Sequence, residues 1–259
     1  MPGIKTLTAA YLVLLLTGSS SAQTIKPEEW PVYGRDLAGS RYSPLDQINR
    51  ENVKELRVVW RWKSPDNEAV EKNPMVRPGP NEATPLMIGG VLYTSTGLNR
   101  VAAIDAATGT TLWVFDAQSR GFVHRGVAYW SDGKERRVLM TTGDSHLIAL
   151  DAGSGKPVPR FGENGRIDLT KGLRRPVNRE FVSCTSPPLV CGDVIVVGGS
   201  VQDFQDQKEM PPGDVRGFDV RTGKQLWIFQ TVPQKGSSGT RAGRGTPGST
   251  PATPTSGCR

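Results

Sequence analysis

This 259-residue sequence predicts an all-β fold of four-stranded antiparallel sheets, stacked radially as an incomplete β-propeller. Three observations predict it. One phrase, an apolar strand followed by Asp-x-x-Thr/Ser-Gly, occurs three times, at residues 105–109, 151–155 and 219–223. Short β-branched or alternating runs, separated by turn dipeptides, fill the chain from residue 84 onward. No stretch sustains the 3.6-residue periodicity of a helix.

The phrase has a mechanical reading. An Asp at a strand end accepts backbone N–H bonds within the following turn, and the Gly takes positive φ where the chain reverses. The next strand, Thr-Leu-Trp or Gln-Leu-Trp, returns antiparallel and places Trp113 and Trp227 eight residues after their Asp. Such a ring lies flat between adjacent sheets and buries about 200 Å². One sheet cannot cover both its faces, so copies must stack. A single copy would be an ordinary hairpin turn; three with matching flanks, spaced 46 and 68 residues apart, indicate one sheet per repeat with an insertion in the last.

Taken in chain order, residues 1–22 read as a secretory signal peptide. Lys5 is the charged start, residues 7–16 are apolar apart from Thr8, and Ser20-Ser21-Ala22 is a small-residue cleavage site. An uncleaved N-terminal anchor is the other reading. Residues 30–62 hold Trp30-Pro-Val-Tyr-Gly-Arg, Arg41-Tyr-Ser-Pro-Leu and Val58-Val-Trp60-Arg-Trp62. Strand-like runs follow at 84–88, 91–95, 112–115, 138–142, 147–150, 194–197 and 226–229, with turns at Gly89-Gly90, Asp132-Gly133 and Gly192-Asp193. Cys184 and Cys191 either pair across a tight loop or sit as thiols near strands, and their count leaves both open. Of the net charge of +7, four charges belong to residues 235–259, which carry no acid, and one to Lys5. The body is therefore close to neutral, and a nucleic-acid partner is excluded as the reason for the charge.

The phrase Ala-x-Asp-x-x-Thr-Gly-x-x-x-Trp resembles the tryptophan-docking motif of the quinoprotein dehydrogenases. The likeness runs over roughly residues 28–235, closest to their glucose-dehydrogenase-like branch. Trp30-Pro-x-Tyr-Gly, Arg41-Tyr-Ser-Pro-Leu-x-Gln-Ile-Asn, Arg125-Gly-Val-Ala-Tyr-Trp130, Thr185-Ser-Pro-Pro188 and Val197-Gly-Gly-Ser-Val201 fall in family order. The resemblance implies an eight-bladed propeller of which about three blades are present. It also implies pyrroloquinoline quinone (PQQ) and Ca²⁺ as cofactors.

A planar tricarboxylate quinone needs cations or donors for its carboxylates and a Lewis acid at the reactive carbonyl, for which Ca²⁺ takes oxygen ligands. By motif, the resemblance assigns Arg125 to the quinone, which suits its planar fork, and Glu82 to the pocket mouth. It assigns the hydroxyls of Thr185 and Ser200 to cofactor carboxylates. It assigns Asp203 to the metal; His124, one of two histidines and adjacent to Arg125, is the candidate for orienting substrate. Each has an ordinary alternative: a surface ion-pair arginine, loop acids, strand-end hydroxyls. His146 reads as an exposed strand residue. The catalytic aspartate has no counterpart here.

Two departures qualify the resemblance. Alcohol-oxidising relatives carry adjacent cysteines before the arginine; here the stretch is Ser119-Arg120-Gly121-Phe122, which argues against the methanol/ethanol branch. The chain also lacks the several N-terminal membrane helices of the membrane glucose dehydrogenases.

Residues 237–259 contain no aromatic, Val, Ile, Leu, Met or acid. Such a segment cannot bury enough surface to order itself, so the expected organisation is a signal peptide at 1–22, a partial propeller at 23–235 and a disordered tail at 236–259. The tail reads as a flexible linker or as the product of a frameshift near Gly236, since codons exist for which a one-base shift restores family-like text.

The expected activity is oxidation of a glucose-like sugar or an alcohol by hydride transfer to PQQ, with ubiquinone or cytochrome c as acceptor. The expected location is the periplasm, with membrane association left open, and the truncated chain is expected to be inactive alone. The competing expectation is a non-enzymatic propeller of the same repeat, acting as a periplasmic scaffold or binding module.

Overall fold

A computed structural model describes residues 25–119, 125–200 and 210–233. Among these residues it contains three four-stranded antiparallel sheets, each a simple meander in chain order. The first is β1 (Leu86–Ile88), β2 (Val91–Ser95), β3 (Arg100–Asp105) and β4 (Thr111–Asp116). The second is β5 (Ala128–Ser131), β6 (Arg136–Thr141), β7 (His146–Asp151) and β8 (Arg166–Asp168). The third is β9 (Leu189–Cys191), β10 (Val194–Gly198), β11 (Val215–Asp219) and β12 (Gln225–Phe229). Each sheet is one blade, as expected. Among the described residues no helix is long and apolar enough to cross a membrane.

The three Asp-x-x-Thr/Ser-Gly turns are superimposable in their bonding. Asp105, Asp151 and Asp219 each accept through Oδ1 from the backbone N–H and the hydroxyl of the residue three positions on, Thr108, Ser154 or Thr222. In each, the glycine N–H donates 2.8 Å to the Asp carbonyl. Gly109, Gly155 and Gly223 stand at φ +74°, +68° and +75°, the left-handed region that favours glycine.

These turns also receive the preceding blade. A Cβ added at Gly155 would lie 2.5 Å from the Trp113 ring, so the blade 1 tryptophan rests on the blade 2 turn. The Trp113 Nε1–H donates 3.1 Å to the Ala152 carbonyl, which fixes the ring's edge. Trp60 occupies the same seat on Gly109. At Gly223 the seat is filled by Ile167 of β8, which explains why the middle repeat shows no tryptophan at the expected offset. Trp227 has no such seat among the described residues; it lies over Gly217 of its own sheet and is 41% exposed.

The core sits between the blades. Val138, Met140, Ile148 and Leu150 face Tyr93, Val101 and Ala103 of blade 1. The alternate residues Leu139, Leu147 and Ala149 face Ile195, Val197 and Phe218 of blade 3. Strands β6 and β7 are therefore buried on both faces and read as continuous apolar runs, whereas β10 alternates. Arg137 crosses the blade 2–3 interface while only 1% exposed, and donates to the Val220 and Arg221 carbonyls at 2.5 and 2.7 Å.

Among the described residues one short α-helix accompanies the sheets. Helix α1 (Pro65–Lys72) has Ser64 as N-cap, accepting from the Asp66 N–H, and Pro at its first position. Buried Asp66 then accepts from the Thr96 hydroxyl (2.8 Å) and the Leu98 N–H (3.0 Å), pinning the helix to the β2–β3 turn.

Candidate functional site

In a meander the chain enters the first strand at the same end at which the second strand turns into the third. Glu82 lies in the lead-in to β1, Arg125 to β5 and Thr185 to β9, and Ser200 stands two residues past β10. All four therefore converge on one end of the arc. The three Asp-x-x-Thr/Ser-Gly turns lie at the other.

Arg125 is the hub. Its Nε donates to Glu82 Oε2 at 3.0 Å and its Nη1 to Thr185 Oγ1 at 2.8 Å, while its backbone N–H reaches the Thr185 carbonyl at 3.3 Å. One side chain thus joins the lead-ins of three consecutive blades. Gly126 makes the approach possible. At φ +119° it turns the chain so that a Cβ there would stand 3.4 Å from the Thr84 carbonyl, beside Glu82. Ser200 belongs to the same wall: its N–H donates 2.9 Å to Ser183, two residues before Thr185.

The Arg125 and Glu82 side chains are 41% and 54% exposed. An ion pair that open contributes at most about 1 kcal/mol to stability.

His124 and Asp203 lie outside the described residues. Among the described residues no group of three or more His, Cys, Asp or Glu forms a metal site. Cys184 and Cys191 are not bonded to each other: Cys184 is buried and directs its Sγ to the Gly198 carbonyl at 3.2 Å, and Cys191 is exposed. His146 is more covered than expected, with its Nδ1 3.3 Å from Asp144 Oδ2 but without hydrogen-bond alignment.

Two groups at this end escaped the sequence reading. Asp144, in the β6–β7 turn, accepts from the hydroxyls of Ser119 and Thr142. Burial pushes its carboxyl up, but these hydroxyls and His146 outweigh burial and hold it below the usual range. The turn Thr142-Gly143-Asp144-Ser145 stands where Thr96-Gly97-Leu98-Asn99 stands in blade 1. Ser145 and Asn99 are both at positive φ, so the internal repeat was the available signal.

Asp214, whose backbone carbonyl accepts from Gly199 at 3.4 Å beside Ser200, has a fully buried side chain. Arg174 Nε stands 3.7 Å from its Oδ2. Burial raises its pKa more than Arg174, the Thr231 backbone N–H and Arg216 lower it. In the window from the ordinary value of 3.8 up to that raised value, the folded state holds more protons than the unfolded one. Stability should therefore be fullest below the window and fall as pH rises through it. Asp214→Asn should flatten that part of a stability-against-pH curve measured by urea unfolding; an unchanged slope would show that Asp214 is not its source.

Fold and site together define a propeller in which Glu82, Arg125 and Thr185 meet at one end. The family model for the β-propeller domain of PQQ glucose/ethanol/alcohol dehydrogenases matches residues 30–254, and the chain belongs to that family. Quinoprotein glucose dehydrogenase A of Acinetobacter calcoaceticus is 35% identical over 235 residues, covering 80% of this chain and 28% of that protein. The dehydrogenase subunit of alcohol dehydrogenase (quinone) of Gluconobacter oxydans is 35% identical over 216 residues, covering 80% and 25%. The crystal structure of quinohemoprotein alcohol dehydrogenase from Comamonas testosteroni aligns with TM-score 0.65 and 29% identity, over 82% of this chain and 28% of that one. The chain thus spans between a quarter and a third of the length of these relatives.

Proposed function

We propose that this chain supplies one wall of a quinoprotein dehydrogenase site that oxidises a glucose-like sugar or an alcohol. The observation that carries the reading is Arg125, which gathers Glu82 and Thr185 from three consecutive blades at the end where Ser200 also lies. A guanidinium flanked by hydroxyls fits a planar polycarboxylate, because its fork matches carboxylate geometry.

Arg125, Thr185 and Ser200 would hold the carboxylates of PQQ, which when bound supplies the ortho-quinone that accepts hydride. Glu82 accepts from the Nε of Arg125 and stands beside it at the pocket mouth. Asp203 is the proposed ligand to Ca²⁺, and His124 the proposed group that orients the substrate hydroxyl. Ubiquinone or cytochrome c is the proposed acceptor. Residues 1–22 are the proposed export signal to the periplasm, with membrane association as a further element of the reading.

The remaining length of the relatives has no counterpart in these 259 residues, and we propose that turnover requires it. The purified chain, mixed with PQQ, Ca²⁺, glucose and a redox dye, should bind PQQ yet reduce no dye. Dye reduction should emerge when the reading frame beyond codon 236 is extended to the relatives' length. Robust reduction by the 259-residue chain would overturn the requirement.

A further inference from the structure

Ser145, in the β6–β7 turn, is the wrong residue for its backbone. It stands at φ +67°, in the left-handed region that serine seldom adopts, and it is fully buried. Its counterpart in blade 1 is Asn99, at φ +58°, a residue type that this region favours. The two share one backbone role. The Asn99 carbonyl accepts from Ala117 and the Ser145 carbonyl from Leu169, in each case the residue directly after the last strand of the blade. That role needs only a carbonyl, so it does not explain a serine. The hydroxyl does: Ser145 Oγ donates to the Val182 carbonyl, 37 residues on, in the lead-in to blade 3.

From Val182 the chain runs straight into the candidate site. The next carbonyl, that of Ser183, accepts 2.9 Å from the Ser200 N–H in an isolated antiparallel bridge. Two residues further on, Thr185 accepts from Arg125 through both its hydroxyl and its carbonyl. At the far end of the segment, Thr141 Oγ1 donates 2.6 Å to the Ser186 carbonyl. Residues 182–186 are thus tied to blade 2 at both ends. The Ser145 tie is the one nearer Ser200, a single residue from the carbonyl that holds it.

We propose that Ser145 is a positioning residue of the candidate cofactor site: its hydroxyl fixes the Val182 carbonyl and so the Ser183–Ser200 bridge that carries Ser200. The strained serine is kept because its hydroxyl is used. That the site takes PQQ rests on the reading above; the anchoring of Ser200 does not.

The test uses the 259-residue chain and the variants Ser145→Ala and Ser145→Gly. Both remove the hydroxyl, but only glycine relieves the left-handed backbone, so urea unfolding should rank glycine above alanine. Hydrogen exchange of the Ser200 amide should nevertheless be about tenfold faster in both, the effect of one lost hydrogen bond. Amides of β6 and β11 should stay within about twofold of the parent. PQQ titration, read by tryptophan fluorescence, should weaken about tenfold and alike in the two variants, whatever their order in stability. Parent-like Ser200 exchange in either variant would overturn the anchoring. So would exchange that follows stability, with alanine fast and glycine near the parent, or acceleration spread through β6 and β11. Unchanged PQQ affinity in both variants, with Ser200 loosened, would overturn the positioning role. If the parent chain shows no PQQ binding while the exchange pattern holds, the PQQ reading has failed and the anchor stands.

Discussion

Replacing Arg137 with alanine is expected to destabilise the arc by about 3–5 kcal/mol, from buried carbonyls left without a donor and from the cavity opened. The residue looks like a surface cation in sequence, yet its side chain is 1% exposed. It donates to two carbonyls of the blade 3 turn, Val220 and Arg221, and to Glu135 of its own blade. Its guanidinium also lies near the faces of Trp130 and Phe161, at 5.6 and 6.0 Å from the ring centroids. Alanine would leave both carbonyls buried without their donor, at about 1–3 kcal/mol each, and open a cavity besides. Lysine keeps the charge but presents one ammonium instead of a fork, so Arg137→Lys should fall between parent and alanine. Urea unfolding measures all three. A loss below about 1 kcal/mol for alanine would mean that Arg137 does not join the blades.

The second large effect is expected at Gly155. Two separate reasons demand glycine there: φ is +68°, and a Cβ would stand 2.5 Å from the Trp113 ring. Gly155→Ala should cost about 2–4 kcal/mol, combining left-handed strain with displacement of the ring. Gly133 isolates the first reason, since φ there is +87° but a Cβ would meet nothing within 4 Å. Gly133→Ala should therefore cost about 1 kcal/mol. Trp113→Ala alone should cost about 3 kcal/mol, and in the double variant the two losses should not add, because the clash vanishes with the ring. Additive losses would show that Trp113 does not use the Gly155 seat.

How far the sequence reaches can be judged from these same residues. The Asp-x-x-Thr/Ser-Gly turns were legible because their chemistry is local: an acid, a hydroxyl and a glycine within five residues bond to one another in all three copies. The sheets that flank them followed from stacking. The short helix was missed because eight residues are too few to show periodicity, although Ser64 and Pro65 marked its start. Ile167 in a tryptophan seat was missed because a smaller side chain fills the same space without the expected letter. Arg137 and Asp214 were missed because burial of a charge depends on a neighbouring blade. For the site, Arg125, Glu82 and Thr185 were selected by resemblance to a family. Their separations of 43 and 60 residues carry no periodic signal, and only the fold shows that they touch. Asp144 lay in plain sight within a repeated turn, but its partner Ser119 is 25 residues distant.

The most direct test of the account is a PQQ titration of the 259-residue chain and its Arg125→Ala variant, followed by tryptophan fluorescence. The parent should show saturable quenching at one PQQ per chain, and the variant should bind about tenfold or more weakly, as expected for loss of a charge-assisted contact. Absence of saturable quenching in the parent, or equal affinity in the variant, would contradict the assignment of this end of the arc to the cofactor.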